Sequence, residues 1–537
     1  MSKRTVHRTA PALRRRPVLM ATAAVVALMG LPYGSVRAQE PGVASQEGGA
    51  SAVAGGLGRP SGADVVRAPH TSEGTARLPR GETVVREPHT PALPRIGRNA
   101  LPRDPNVVAG GATFAEDGSR LDINQSTDRV VIDWRSFDIG QDAEVNFYQP
   151  GTSSIAVNRI SQGGVPSQIQ GILRANGTVV ILNPNGVIFS ATSRVDVGGL
   201  VASTGRMDVN QFMAGSNRLD FTDATSGEIV MGGSINIAAA GLAAFVAPHV
   251  RNDGVINARL GRVALAAGET FTLDLAGDRL IELGLGSNSP LVENFGSILV
   301  DGGRVQLSAV AAGAVVDQVI NAGGLISVAS ARAEGGTIVL EGANGGVTVS
   351  GELNASGAAG GGDIALSGAT IETTAGAVLR ADATDNGDGG SIVSMAAGRG
   401  DYAGAFSARG GASGGDGGFV ETSGKHVRID GGISIDTRAP VGETGSWTID
   451  PDDLTVVAGV AGTIGSEDSE IGADTIEAQL ATTGVTLAAR NSITVNADID
   501  TTAGPASSST LALTDQDGGG LTINLNAAIR LRAGQTL

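Results

Sequence analysis

Few side chains in this 537-residue chain combine the residue types and spacings that catalysis requires. The sequence contains no cysteine, which excludes disulfides, thiolate metal ligands and cysteine nucleophiles. His249 and His426 are far apart in the sequence, and we interpret both as solvated corner residues. No Ser-His-Asp arrangement, metal-ligand spacing or phosphate-binding loop is recognisable. The sequence therefore predicts neither a metal site nor a cofactor.

The densest acidic group near an aromatic residue consists of Asp450, Asp452 and Asp453. Alternate residues of a strand share a face, so Asp450 and Asp452 could project from one side. A glycosidase or lyase site needs clustered carboxylates, or a basic residue beside a calcium-bound substrate. We favour a solvated loop and predict that the protein is not an enzyme. A polysaccharide-acting enzyme of the lyase or glycosidase type is the alternative.

The most distinctive local motif is the turn sequence Asn183-Pro184-Asn185-Gly186. Asn and Pro preset a turn, and Asn-Gly accepts the left-handed backbone conformation. Two interpretations stay open and are compatible: a structural turn between strands, and a surface that a partner recognises. Asn158 is interpreted as a turn or ladder residue in preference to a direct contact.

The composition favours many short strands joined by tight turns. Glycine accounts for 81 residues and aromatic residues for only 3%, whereas 41% of the chain is hydrophobic. A compact globular core of this size would use more aromatic side chains. Small and β-branched residues separated by glycine are typical of a repetitive β architecture.

Internal repeats predict that this architecture is a solenoid. A glycine followed by alternating apolar residues recurs from about residue 250, and the copies at Gly362, Gly390 and Gly418 are 28 residues apart. Asn252, Asn294 and Asn321 suggest a stacked asparagine ladder. Ser167–Leu173 is predicted to be a short helical turn or a cap segment. A calcium-binding β-roll is a weaker alternative for the Asp-Gly-rich segments near Asp388 and Asp416.

The N-terminal region predicts export. A basic segment precedes the apolar run from Val18 to Leu31, and the small residues before Ala38 predict a signal peptide over residues 1–38, cleaved after Ala38. Twin-arginine export is a rival to the general secretory route. Seven of the 38 basic residues and none of the 54 acidic residues precede the cleavage site, so the mature chain has a formal charge near −23. Such a chain should repel nucleic acid, and the apolar run is too short for a permanent membrane anchor.

Residues 106–205 carry a series of motifs in a characteristic order. They comprise Asp133–Gly140, Gln149-Pro150, Ala156–Ile160, Pro166–Gly171, Ala175–Gly177, Ile181–Phe189 and Gly199–Thr204. In this order and spacing they resemble the secretion domain of the filamentous haemagglutinin family. The family's Asn-Pro-Asn-Gly-Ile motif ends here in Val187. A second family motif, Asn-Pro-Asn-Leu, is missing, and Phe147–Pro150 lies near its expected place.

The resemblance implies a right-handed parallel β-helix and two-partner secretion. An outer-membrane transporter with POTRA domains and a β-barrel would recognise the secretion domain and export the chain. The resemblance assigns this recognition to Asn183, Pro184, Asn185 and Gly186, together with Asn158. The expected product is a secreted or cell-surface adhesin with a host or bacterial receptor. An inactive, truncated fragment of a larger adhesin is another possibility.

The sequence thus predicts an all-β chain in five parts. They are a signal peptide (1–38), a Pro/Gly/Arg-rich disordered linker (39–105), a secretion domain (106–350), Gly-rich β-helix repeats (351–446) and further β-strand repeats (447–537).

Overall fold

The computed structural model describes residues 94–160, 164–274, 281–312, 316–459, 469–503, 509–515 and 520–537. Contacts divide the chain into residues Met1–Arg95 and Ile96–Leu537, and the following description concerns the second unit. The predicted signal peptide, Ala38 and most of the predicted linker lie outside the described residues.

The second unit is a parallel β-helix with three strand faces, A, B and C, which the chain visits in that order in each coil. A short strand buries every second side chain inside the helix, and the strands of adjacent coils satisfy its backbone hydrogen bonds. The predicted all-β solenoid is therefore confirmed.

Face A carries one strand from each coil. Its separate strands are β4 (Arg129–Trp134), β6 (Ile155–Ile160), β9 (Thr178–Leu182), β12 (Gly199–Ser203), β17 (Leu242–Val246), β20 (Arg262–Ala267), β25 (Arg304–Val310), β36 (Ser446–Asp450), β39 (Gly484–Ala489) and β42 (Leu511–Asp515).

Face B continues from face A around one corner of the coil. Its separate strands are β7 (Ser167–Ile169), β10 (Val187–Phe189), β15 (Glu228–Met231), β18 (His249–Asn252), β23 (Leu291–Asn294), β26 (Val316–Ala322), β37 (Asp453–Val457), β38 (Ser469–Gly472), β40 (Ser492–Val495) and β43 (Thr522–Leu525). Four long strands run across both faces: β28 (Thr337–Val349), β30 (Asp363–Thr373), β32 (Ser391–Tyr402) and β34 (Phe419–Ile429).

Face C completes each coil and forms a sheet of its own. Its strands are β2 (Ala112–Asp117), β3 (Arg120–Gln125), β5 (Glu144–Tyr148), β8 (Ile172–Ala175), β11 (Arg194–Val197), β16 (Ser234–Ile237), β19 (Val255–Ala258), β24 (Ser297–Leu299), β27 (Leu325–Ser327), β29 (Glu352–Asn354), β31 (Val378–Arg380), β33 (Ala405–Ser407) and β35 (Ser434–Asp436).

The first coil begins with antiparallel pairing. Strand β1 (Asn106–Ala109) pairs with β4, and β2 forms a hairpin with β3. The chain takes part in this fold before the linker boundary that we predict at residue 105, because Leu101 is buried in the core and the Arg103 N–H donates to the Ser136 carbonyl at 2.9 Å.

Two excursions between faces A and B form a side module on the outside of face A. It contains β13 (Arg206–Met207), α1 (Val209–Met213), β14 (Arg218–Thr222), β21 (Phe271–Asp274) and β22 (Ile281–Leu283), whose four strands form an antiparallel sheet. Phe212, Phe221 and Phe271 pack with the outward-facing apolar residues of face A in a second hydrophobic core.

The remaining elements lie in the C-terminal coils. Helix α2 (Ala473–Gln479) follows β38, and the short strands β41 (Ile499–Asp500) and β44 (Ile529–Arg530) pair with each other.

The repeats that we predict from the glycines stack in register. Strand residues after the predicted glycines are directly paired, from Arg262 with Arg304 through Asp363 with Ser391 to Ser391 with Phe419. A Cβ on Gly390 would lie 1.9 Å from the Gly362 carbonyl oxygen, so the stacked corners require glycine.

Two local predictions are wrong. Ser167–Leu173 is not a helical turn, because it contains β7 and the start of β8. The asparagine ladder has two members instead of three: Asn252 Nδ2 donates to Asn294 Oδ1 at 2.8 Å, but Asn294 is aligned with Ala322. Asn321 is aligned with Glu293 on the outside of the coil.

Candidate functional site

The turn over residues 183–186 joins β9 on face A to β10 on face B. The Asn183 side chain is 1% exposed and supplies four hydrogen bonds. Its Oδ1 accepts from the Asn185 N–H at 3.0 Å and from Asn185 Nδ2 at 3.1 Å. Its Nδ2 donates to the Val165 carbonyl and to Ser167 Oγ, both at 3.1 Å. Asn183 therefore fixes the turn and ties it to the preceding coil.

The next coil covers the other side of this turn. Gly186 has φ +114°, and a Cβ on it would lie 2.5 Å from the Glu228 carbonyl oxygen. Ser226 Oγ donates to the Pro184 carbonyl at 3.2 Å. The segment that returns from the side module thus packs directly on the turn, while Pro184 and Asn185 stay partly exposed.

Asn158 lies inside the coil, fully buried, on β6. Its Oδ1 accepts from Trp134 Nε1 at 2.9 Å, and its Nδ2 donates to the Val180 carbonyl at 3.2 Å. Asn158 therefore contacts the neighbouring coils from inside the β-helix and does not form part of the surface of the 183–186 turn. In the folded protein its side chain links three coils.

A second corner contains an amide network whose role the sequence motifs do not reveal. Gln149 Nε2 donates to Gln125 Oε1 at 3.0 Å and to the Ser154 carbonyl at 3.2 Å, while its Oε1 accepts from the Gly177 N–H at 2.8 Å. Asn176 exchanges two hydrogen bonds of 2.8 Å with the Gln149 backbone. The available signal is positional, because each amide ends or directly follows a face C strand in consecutive coils.

Arg129 attaches the side module to this region. Its guanidinium donates to the Phe212 carbonyl at 2.6 Å and to the Ser216 carbonyl at 2.9 Å, and it lies over the Phe212 ring at 5.0 Å. Partial burial lowers the pKa of Arg129. The guanidinium thus adds a donor at the C-terminal end of the short helix α1, where the Phe212 carbonyl also accepts from the Gly215 N–H.

The two candidate histidines lie in different coils from each other and from the acidic group, with His249 on β18 and His426 on β34. Asp450, Asp452 and Asp453 lie together where β36 ends and β37 begins. His249 Nε2 lies 2.9 Å from the Ser289 carbonyl. Asp452 accepts from Arg490 at 3.1 Å, and Asp453 accepts from Ser492 Oγ at 2.6 Å. The structure does not gather the histidines and this acidic group into one site.

The Asp-Gly segments that suggested a calcium site connect stacked loops. Asp388 Oδ1 accepts from the Asp416 N–H at 2.8 Å, and Asp416 Oδ1 accepts from the Glu443 N–H at the same distance. Within the described ranges, no group of three acidic or histidine side chains is arranged to hold a metal ion. Likewise, no described helix is long and apolar enough to cross a membrane.

The fold and the 183–186 turn together define the class of protein. It is a parallel β-helix protein whose corner turn is fixed by side-chain hydrogen bonds and which carries a side module. Comparison with known proteins gives the particular family. Residues 101–355 match the model of the TPS secretion domain, where TPS denotes two-partner secretion. This chain therefore carries the secretion domain of a two-partner-secretion exoprotein, as the sequence motifs predict, and it is a secreted protein of the cell surface or extracellular space.

Two curated relatives and one solved structure are similar to the chain. A heme/hemopexin-binding protein of Haemophilus influenzae strain Rd is 36% identical over 217 residues, which is 39% of this chain and 24% of the relative. Another H. influenzae heme/hemopexin-binding protein is 45% identical over 103 residues, which is 19% of this chain and 11% of the relative. The chain thus spans at most a quarter of either relative.

The HMW1 secretion domain from H. influenzae has a similar structure. It matches with a TM-score of 0.52 and 22% identity over 80% of this chain and 100% of that domain. This likeness supports the β-helix fold.

Proposed function

We propose that an outer-membrane transporter, with POTRA domains and a β-barrel, recognises the N-terminal coils of this chain and exports it. The observation that carries the proposal is the match of residues 101–355 to the secretion domain. The tightly held 183–186 turn lies within that region and is supported by contacts from both neighbouring coils.

We assign the turn two connected tasks. Asn183 and Gly186 fix the corner, whereas Pro184 and Asn185 stay partly exposed, so only the latter two can be contacted directly in the folded state. Asn158, being fully buried, contributes by holding the coils together. A transporter that needs Asn183 or Asn158 itself must meet them before the coils close.

The test is export into the medium with and without the cognate transporter. Asn183→Ala should weaken transporter-dependent release. Asn236→Ala is a matched control because Asn236 bonds to Asp196 on the outer side of face C, and it should leave release unchanged. Equal release with and without the transporter would contradict the proposal.

We further propose that the exported β-helix acts by binding, as an adhesin at the cell surface, and not as an enzyme. The structural contacts of His249, Asp452 and Asp453 support this assignment, because each side chain already takes part in holding the coils. Purified chain should bind cells or receptor-coated surfaces and leave a panel of polysaccharides uncleaved.

Binding of heme or hemopexin is a second candidate. It is favoured by the names of the two relatives, which are matched over a small share of their length. Titrating the purified chain with heme and with hemopexin would separate this candidate from a general adhesin. Saturable binding of heme or of hemopexin would favour this second candidate over adhesion to cells that lack both ligands.

A further inference from the structure

The coil boundary above β34 and β35 differs from the boundaries below it. Lower down, β30 and β32 pair on both faces A and B, from Asp363 with Ser391 to Thr373 with Tyr402, with one irregularity between Gly368 and Thr370 at the corner. Above β34, face A keeps this continuity, because Phe419 pairs with Ser446 and Ser423 with Asp450. Faces B and C do not keep it. We call this boundary, between β34/β35 and the elements β36, β38 and α2, the seam.

On face B the strand order is inverted at the seam. Strand β38 follows β37 in the chain but lies between β37 and β34. It pairs with β37 along its length, from Leu454 with Ser469 to Val457 with Gly472. Towards β34 its pairing is a single residue pair, Arg428 with Glu470. The Ser469 hydroxyl accepts from the Val427 N–H at 3.0 Å, so a side chain replaces a backbone bond there.

On face C two side chains and one backbone hydrogen bond, from the Thr437 N–H to the Thr482 carbonyl, take the place of a strand. The free edge of β35 meets helix α2, where Gln479 Oε1 accepts from the Ile435 N–H at 2.8 Å and Gln479 Nε2 donates to the Ile433 carbonyl at 3.0 Å. Thr482 Oγ1 donates to the Ile435 carbonyl at 2.7 Å. One side-chain amide, one hydroxyl and one backbone carbonyl thus supply the hydrogen bonds that the next strand supplies elsewhere on this face.

The seam is consequently held by continuous backbone pairing on face A. On the other two faces it is held by isolated backbone contacts, Arg428 with Glu470 and Thr437 with Thr482, and by a few side chains. The apolar core is continuous through it, since Trp447 and Ile476 are fully buried. In a stacked-coil protein, stability is approximately a sum over coils and the interfaces between them. Such a protein opens first where an interface is weakest.

We propose that the seam is a hinge at which residues 446–537 open and unfold as a unit before the coils below. The extra strand in face B and the helix in face C allow this unit to separate while β34 and β35 stay folded. The glycine-rich coils of residues 337–429, whose long strands pair on both faces A and B with one irregularity at the corner, would remain intact.

The two tryptophans of the chain can test this directly, because each one reports a different end. Trp134 lies in the first coil, bonded to Asn158, and Trp447 lies on the seam, where its Nε1 donates to Thr422 Oγ1 at 3.0 Å. Full-length chain carrying Trp134→Phe or Trp447→Phe is unfolded in urea while the remaining emission maximum is followed. The Trp447 signal should change at a midpoint lower than that of Trp134 by at least about 0.5 M.

A pair of glutamine variants gives the matched control. Gln479→Ala should lower the Trp447 midpoint and leave the Trp134 midpoint in place. Gln149→Ala, which removes a buried amide from the first coils, should lower the Trp134 midpoint more than the Trp447 midpoint. Coincident midpoints for both tryptophans, or equal shifts of both by Gln479→Ala, would overturn the hinge.

Hydrogen exchange on the unaltered chain keeps the proposal testable if a tryptophan variant fails to fold. The amides of β39 and β40 should exchange faster than those of β28 and β30. Equal protection of the two groups would show a single cooperative unit and refute the proposal.

Discussion

Replacing Gly186 by alanine should destabilise the protein strongly, and two other glycines calibrate the effect. Gly186 has φ +114°, and its added Cβ would meet the Glu228 backbone at 2.5 Å. Gly118 has φ +61° but nothing within 4 Å of an added Cβ, and Gly151 is likewise uncrowded and has no positive φ. The three sites therefore separate backbone strain from steric conflict.

The expected order of stability among the three variants follows from backbone strain and steric conflict. Gly151→Ala should be neutral or stabilise by roughly 0.4–1 kcal/mol, because alanine restricts the unfolded chain. Gly118→Ala should cost roughly 1–2 kcal/mol for the left-handed conformation. Gly186→Ala adds to its strain the displacement of a neighbouring backbone, and we expect a loss of about 3 kcal/mol or more.

Urea unfolding of these variants in the Trp447→Phe chain, followed by Trp134 fluorescence, measures these differences. The Glu228 carbonyl cannot simply move away, because Glu228 begins β15, which is paired with β10 directly after the turn. If Gly186→Ala unfolds at the same midpoint as Gly118→Ala, the return segment does not press on the turn. The account of the corner would then be refuted.

Three further variants test the remaining contacts. Gln149→Ala should cost about 2–3 kcal/mol in urea unfolding, because it removes the partners of the buried Gly177 N–H and of Gln125 Oε1; an unchanged midpoint would contradict this. Arg129→Met should keep the apolar packing on Phe212 but release the end of α1, so protease cleavage within residues 208–217 should rise, whereas unchanged cleavage would refute the role of the guanidinium. Burial raises the pKa of Glu421, so the native state binds more protons than the unfolded state between the two pKa values. Stability should therefore fall as pH rises from the unfolded pKa of about 4.3 through the folded one. Glu421→Gln, which can still accept from Ser423, should remove that fall in urea midpoints measured between about pH 4 and pH 8, and an identical pH profile would exclude Glu421 as its source.

The repeats could be predicted from the sequence because the corner geometry imposes itself on residue type. At Gly390 and Gly418 the chain runs so close to the corner below that a Cβ would lie within 2.1 Å of a backbone oxygen. Each of these coils must place a glycine at the same corner, so glycine recurs at an interval of 28 residues, the length of one coil. The secretion domain was recognisable for a related reason, since turns such as residues 183–186 tolerate few alternatives.

The asparagine ladder failed because a pattern one residue out of step still looks periodic. Asn252 and Asn294 each precede the next strand glycine by two residues, at Gly254 and Gly296. Asn321 also precedes a glycine by two residues, at Gly323, but the glycine stacked on Gly296 is the next one, Gly324. The register is therefore shifted by one residue, and the Asn321 side chain lies on the opposite face of the strand.

Sequence periodicity also missed the inverted order of β37 and β38, for a different reason. Strand β37 alternates buried and partly exposed residues, β38 does so over Ser469–Ile471, and both are short, like many other strands of the solenoid. Alternation determines which side chains point inward, but it does not determine which neighbouring strand supplies the hydrogen bonds. The local sequence therefore does not indicate which neighbouring strands β37 and β38 pair with.

The sequence also contains a signal for the side module, in the apolar pattern of three strands of face A. Strands β9, β17 and β20 are apolar at nearly every position, which is typical of strands buried on both faces. A solenoid that buries only its interior would show polar residues at alternate positions, as β16 and β35 do. Continuous apolar strands therefore require an outer cover, and the segments between β12 and β15 and between β20 and β23 are the insertions long enough to supply it. The same reasoning explains why the 183–186 turn lies beneath the return of the first insertion, since the cover must rejoin face B directly above it.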